Sequence, residues 1–195
     1  MIQPRNIAND FKKIVAGKSL SHAYLFFGPD LSASRTHALS LASFLETGRW
    51  KDESLSLTDA KILDGVVMNL GIEPVRESID FLYRHPLASS RRTLVILRAD
   101  ELTDQAQNAL LKVAEDPPEH ALILIVLRDA SLLLPALASR LEQIFIGSLG
   151  LAVEGGDVQV EAGQQRGSVG VVAERDVGQA QVAGDPRGPR GILAD

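Results

Sequence analysis

The stretch AYLFFGPDLSASRTHALSLASFLETG, residues 23–48, decides how this chain is read. It opens on an apolar run (23–27), turns at Gly28-Pro29, and closes on a pattern in which Ala38, Leu41, Ala42 and Leu45 recur at helical spacing. Strand, glycine turn and helix in that order form the layout of a phosphate-binding loop, where backbone N–H groups meet an anion at a helix N-terminus. The residues that complete such a loop are missing. A working G-x-x-x-x-G-K-[ST] needs its glycines so that the backbone can wrap the phosphates, and its lysine to neutralise their charge. Counted from Gly28, Ala33 takes the place of the second glycine, Ser34 that of the lysine and Arg35 that of the Ser/Thr. The methyl of Ala33 resists the left-handed backbone that glycine accepts. Arg35 lies one position late to replace the lysine, so its side chain is expected to point elsewhere.

Working outward, the same alternation repeats. Phe11, Ile14 and Val15 share a helical face that ends near Gly17, and Val75, Ile79 and Leu82 share another that closes before Pro86. TLVIL (93–97) reads as a second central strand and ALILIVL (121–127) as a third. Between them Thr103 is placed to cap a helix whose inner face is Ala106, Leu110 and Val113, with Pro117-Pro118 as its stop. ASLLLPALASR (130–140) predicts a helix kinked or restarted at Pro135, and LEQIFIG (141–147) supplies a fourth strand. Continuous apolar strands alternating with amphipathic helices predict an α/β fold, a parallel sheet covered by helices on both faces.

Composition excludes several function classes. A formal net charge of −5 disfavours a strongly basic, nucleic-acid-coating surface. Cysteine is absent, which removes disulfide frameworks and thiolate metal sites, and His22, His37, His85 and His120 show no spacing for joint metal ligation. No apolar run reaches the roughly 18 residues of a membrane-spanning helix, and the N-terminus lacks a signal-peptide core, so a cytoplasmic protein is expected.

The chain changes character after Gly147. Residues 1–147 form one expected domain and hold every lysine and every aromatic; glycine, valine and alanine make up half of residues 148–195. That low-complexity tail offers too little apolar surface to offset its ordering entropy. It reads either as a disordered or weakly β extension, or as out-of-frame translation that replaces the true continuation.

Four segments carry a family resemblance: SHAYLFFGP (21–29), PVRESIDFLYRHPLASSRRTLVIL (74–97), ADELTDQAQNALLKVAEDPPEHALILIV (99–126) and LLPALASR (133–140). In order and spacing they resemble the ATPase-like subunits of bacterial clamp loaders, and among them the delta-prime subunits of DNA polymerase III. The resemblance covers roughly residues 19–146. It implies an AAA+ P-loop NTPase-like fold, and a further set of expectations that spacing alone does not give. Active relatives carry an Asp-Glu pair for magnesium and the attacking water; alignment puts Leu97 and Arg98 there, neither of which does that work. Asp100 and Glu101, three residues on, are expected to cap and solvate the next helix. Leu127-Arg128-Asp129 replaces a polar γ-phosphate sensor with a charge pair.

The resemblance therefore implies a subunit with no cofactor of its own: no zinc, since the family's four-cysteine module is missing, and ATP only on partner subunits. It leaves Ser139-Arg140 as the working element, Arg140 being an arginine finger in trans on a neighbour's ATP, although Leu141 stands where the family's motif has cysteine. Expected partners are gamma/tau-type and delta-type clamp-loader subunits, with the sliding clamp and primed DNA contacted indirectly. No polymerase or intrinsic ATPase activity is expected of this chain within the polymerase III holoenzyme. The family's helical lid and collar domains are expected to be absent after Gly147, which makes the chain a truncated version. The rival readings are a divergent ATPase binding nucleotide through Arg35 and Asp100, and a plain interaction module or remnant. Arg91-Arg92, with Arg84 and His85, form a basic loop that either touches DNA or is merely solvated. Trp50 is either a packing anchor or part of a partner surface.

Overall fold

The computed structural model describes residues 6–52 and 57–147; the tail (148–195) and the expectations attached to it lie outside the described residues. The element order is α1 (Ile7–Ala16), β1 (Ala23–Phe27), α2 (Leu31–Thr47), β2 (Ala60–Asp64), α3 (Ile72–Leu82), β3 (Arg92–Leu97), α4 (Asp104–Glu115), β4 (Ala121–Leu127), α5 (Pro135–Ala138) and β5 (Glu142–Phe145). The strands form one sheet in the order β2-β3-β4-β1-β5, and every pairing is parallel.

Each central strand alternates between two cores. Leu25, Leu94, Ile96, Ile123 and Ile125 face α3, α4 and α5 through Val75, Leu82, Leu110 and Leu137. Tyr24, Phe26, Val95, Leu97, Leu122 and Leu124 face α1 and α2 through Phe11, Ala38, Leu39 and Leu41. Right-handed crossovers explain why the helices divide this way. The chain runs from β1 through α2 out to the far edge at β2, and returns through α3, α4 and α5, so outward and return helices must lie on opposite faces.

Several elements depart from the expected boundaries. β2 was not expected: AKILD mixes polar and apolar residues because it is an edge strand, and only Leu63 is buried. α1 begins at Ile7, and its buried residues are Ile7 and Phe11 while Ile14 and Val15 are half-buried. The segment around Pro135 is a 3-10 turn (Ala130–Leu132) followed by a short helix that restarts at the proline. Thr103 caps α4 as expected, its side chain accepting from the Ala106 N–H at 3.3 Å.

Gly28 has a structural task that the sequence did not reveal. Its φ is +142°, and a Cβ there would collide with the carbonyl oxygen of Ile146, because the Ile146 N–H donates to Phe27 O at 2.7 Å and extends β5 past the turn. Gly28→Ala is expected to destabilise the domain by about 1–3 kcal/mol, measured as a fall in urea midpoint at unchanged slope. A wild-type midpoint would refute this account of the glycine.

Candidate functional site

Nucleotides bind parallel α/β sheets at the carboxyl ends of the strands, where the crossovers diverge. Here that crevice lies beside β1, between the turn into α2 and the ends of β3 and β4. The turn is short: α2 begins at Leu31, immediately after Asp30. Asp30 is its N-cap. One carboxylate oxygen accepts from the Ala33 N–H at 2.9 Å, and the Asp30 carbonyl accepts from both the Ser34 N–H and its hydroxyl at 3.0 Å. A first-turn amide that a phosphate would use is thus taken by an anion of the chain's own. Ala33 and Ser34 lie within the helix, Ser34 fully buried, and Arg35 is exposed on its first turn. His37, two residues further, is held below its ordinary pKa by burial, which outweighs the nearby Asp30 carboxylate.

The end of β3 is equally altered. Leu97 is buried in the α1/α2 core. Arg98 adopts a left-handed backbone (φ +55°), a conformation that costs a non-glycine residue. Its guanidinium pairs with Asp100 at 3.3 Å and Glu101 at 3.6 Å across a single turn of 3-10 helix. Asp100 and Glu101 therefore serve as partners of Arg98, a role the expected capping did not include. At the end of β4, Arg128 contributes its carbonyl to the Gly28 N–H at 3.1 Å. Asp129 accepts from the Ser131 N–H at 2.9 Å, and that bond holds its carboxyl below the usual range. A cavity of about 280 Å³ remains, lined by Leu31, Arg35, Asp64, Leu97, Arg98 and Val126 among others.

Ser139 and Arg140 lie elsewhere. Ser139 is the C-cap of α5, its hydroxyl donating to Ala136 O at 2.8 Å. Arg140 follows, two residues before β5, whose first residue pairs with Tyr24 near the start of β1. Gly28 follows the end of β1. The two features thus lie at opposite ends of the parallel strands β1 and β5, separated by the length of a five-residue strand, about 16 Å. Arg140 is half-exposed and bonds to Glu115 Oε1 at 3.3 Å. Leu141, in place of cysteine, is buried, which keeps the segment packed behind the arginine. Gln107, which the sequence reading passed over, braces that segment: its buried amide accepts from the Leu134 N–H at 2.7 Å and donates to Leu102 O and Leu132 O at 3.4 and 3.5 Å. Glutamine on the inner face of an amphipathic helix was the signal that would have found it.

The basic loop needs correction. Arg92 is buried, not displayed, and forms an ion pair with Asp59 at 2.8 Å. Arg91 donates to Glu119 O at 2.6 Å and more weakly to Ala121 O and Leu20 O. Both guanidinium groups are spent on internal partners. Trp50 stacks on Phe11 with ring centres 5.9 Å apart and touches Phe44, so it anchors packing between α1 and α2. His22 bonds to the Ala114 carbonyl at 3.1 Å, tying the start of β1 to the end of α4.

The fold and crevice define an AAA+ P-loop NTPase-like module of the clamp-loader class. The family model described as DNA polymerase III, delta subunit, matches residues 3–149, and the chain belongs to that family. It is similar to the DNA polymerase III subunit delta' of Yersinia pestis, with 40% identity over 72 residues, covering 37% of this chain and 21% of the relative. It is 28% identical over 135 residues to the subunit gamma/tau of Mycobacterium tuberculosis, covering 62% of this chain and 23% of that one. Among solved structures, a gamma subunit-related protein from Thermotoga maritima superposes with a TM-score of 0.59 at 30% identity, covering 69% of this chain and 45% of the other. The chain thus spans between a fifth and half of the length of these relatives.

Proposed function

We propose that this chain is a non-hydrolysing, delta-prime-like subunit of a DNA polymerase III clamp loader, presenting Arg140 to ATP held by a neighbouring gamma/tau-type subunit. The observation that carries this reading is the position of Arg140. A half-exposed guanidinium at the strand ends opposite its own phosphate-loop turn has no route to a nucleotide on the same chain. In the partner's site it would stabilise charge that develops on the transferring phosphoryl group. The Asp30 cap supports the other half: a carboxylate capping the start of α2 repels the phosphates that a lysine and glycines would attract. The chain takes neither nucleotide nor zinc of its own. Its part in opening the sliding clamp and loading it on primed DNA, with delta-type subunits as further neighbours, is that of a rigid element in the cytoplasm.

The Arg35- and Arg98-lined cavity favours the rival ATP-binding reading, and thermal unfolding separates the two. Ligand at a hundred times its dissociation constant would stabilise the fold by about 2.7 kcal/mol, several degrees in melting temperature. Millimolar MgATP is expected to leave the melting temperature of the isolated chain where it was. A saturable rise would refute the non-binding reading.

A further inference from the structure

Glu115 is the last residue of α4, a helix with Lys112 already in its final turn. A carboxylate at that end lies against the negative pole of the helix, where it is disfavoured unless a cation answers it. The cation comes from 25 residues further along the chain: Arg140 Nη2 lies 3.3 Å from Glu115 Oε1, with both side chains 48% exposed. The other arm of the guanidinium donates to the Ser139 hydroxyl at 3.4 Å. Residue 140 is thereby held between the ends of α4 and α5, neither buried nor free.

We propose that Glu115 is a positioning residue that parks Arg140 in the unassembled chain and competes with the neighbour's triphosphate for it. The inference rests on the finger reading above. Its physical basis is the strength of the pair. A buried pair would trap the guanidinium, since separating it would leave both charges desolvated. An exposed pair orders the side chain and yields to a stronger partner, and a phosphate group offers the planar fork more charge and bidentate acceptance. The parked state keeps the arginine out of other contacts until a neighbour supplies that partner.

Phenylglyoxal modification of the free chain, read residue by residue by mass spectrometry, tests the parking itself. Glu115→Gln removes the charge at nearly constant size. It is expected to speed modification of Arg140 by about two- to fivefold, the factor that an exposed pair supplies, and to leave Arg91 and the melting temperature unchanged. An unchanged rate at Arg140 overturns the proposal, whatever Arg140 does in the assembled loader. In a loader reconstituted with gamma/tau- and delta-type subunits, Glu115→Gln is expected to lower the ATP concentration for half-maximal turnover at the facing site by a similar factor, with kcat kept. Glu115→Asp should return the wild-type value, and Glu115→Gln combined with Arg140→Ala should behave as Arg140→Ala alone. A fall in kcat with Glu115→Gln overturns parking, since Glu115 would then aim the arginine instead of withholding it. If Arg140→Ala is silent in the loader while modification still responds to Glu115, the finger reading fails and the competitive role fails with it, though the ion pair stands.

Discussion

Arg140→Ala in a reconstituted clamp loader is expected to slow hydrolysis at one ATP site by about a thousandfold or more, the loss typical when an arginine finger supplied in trans is removed. The steady-state rate of the whole assembly falls only by that site's share, so single-turnover hydrolysis is the measurement that resolves it. The fold should survive intact, because Arg140 contributes a half-exposed ion pair worth at most about 1 kcal/mol. Arg140→Lys should recover little: an ammonium keeps the charge but lacks the planar fork that spans two phosphate oxygens. Single-turnover rates equal to wild type in both variants would leave the chain as an interaction module with no part in the chemistry.

The contrast between Arg140 and Arg92 shows what the sequence disclosed and what it hid. Both are arginines near the end of an apolar segment, and local pattern treats both as surface charge. Arg140 was singled out because LLPALASR resembles a family signature, not because its chemistry stands out. Arg92 was misread because its partner, Asp59, comes from a polar stretch 33 positions earlier, beside the edge strand that alternation failed to reveal. Central strands were legible for the opposite reason: β3 and β4 are buried on both faces, so every residue in them is apolar or packed. The degraded phosphate loop was legible as missing residues. Its replacement, the Asp30 cap, was not, although an aspartate just before a helical pattern is a recognised start signal. Glu115 was invisible as a partner for Arg140 because contacts between helix ends follow from topology and leave no local spacing.

The buried pair Asp59–Arg92 sets the second large expectation. The Asp59 carboxylate, 1% exposed, accepts from the backbone N–H groups of Leu87, Ala88 and Ser89 at 2.6–2.9 Å as well as from Arg92 at 2.8 Å. The Arg92 guanidinium also donates to the carbonyls of Thr58, Arg84 and His85 and lies 4.5 Å from the centre of the Phe81 ring. One carboxylate and one guanidinium thereby fix the loop from α3 to β3 against the edge strand. Burial alone would raise the pKa of Asp59, but the three N–H donors and Arg92 outweigh it, and the carboxyl sits below its ordinary range. A depressed folded-state pKa means that this stabilisation is fully present above the unfolded value of about 3.9 and is lost as pH falls through the lower folded value. Asp59→Asn is expected to cost about 3–5 kcal/mol at neutral pH, because it leaves the buried guanidinium uncompensated. That is a large share of the roughly 5–15 kcal/mol that holds a domain together. Urea unfolding at pH 7 and again below pH 4 checks each part: the wild type should lose stability across that interval more steeply than Asp59→Asn. A loss below about 1 kcal/mol for Asp59→Asn, against the cost of breaking a buried pair, or identical acid slopes in the two proteins, would show that other groups hold the loop.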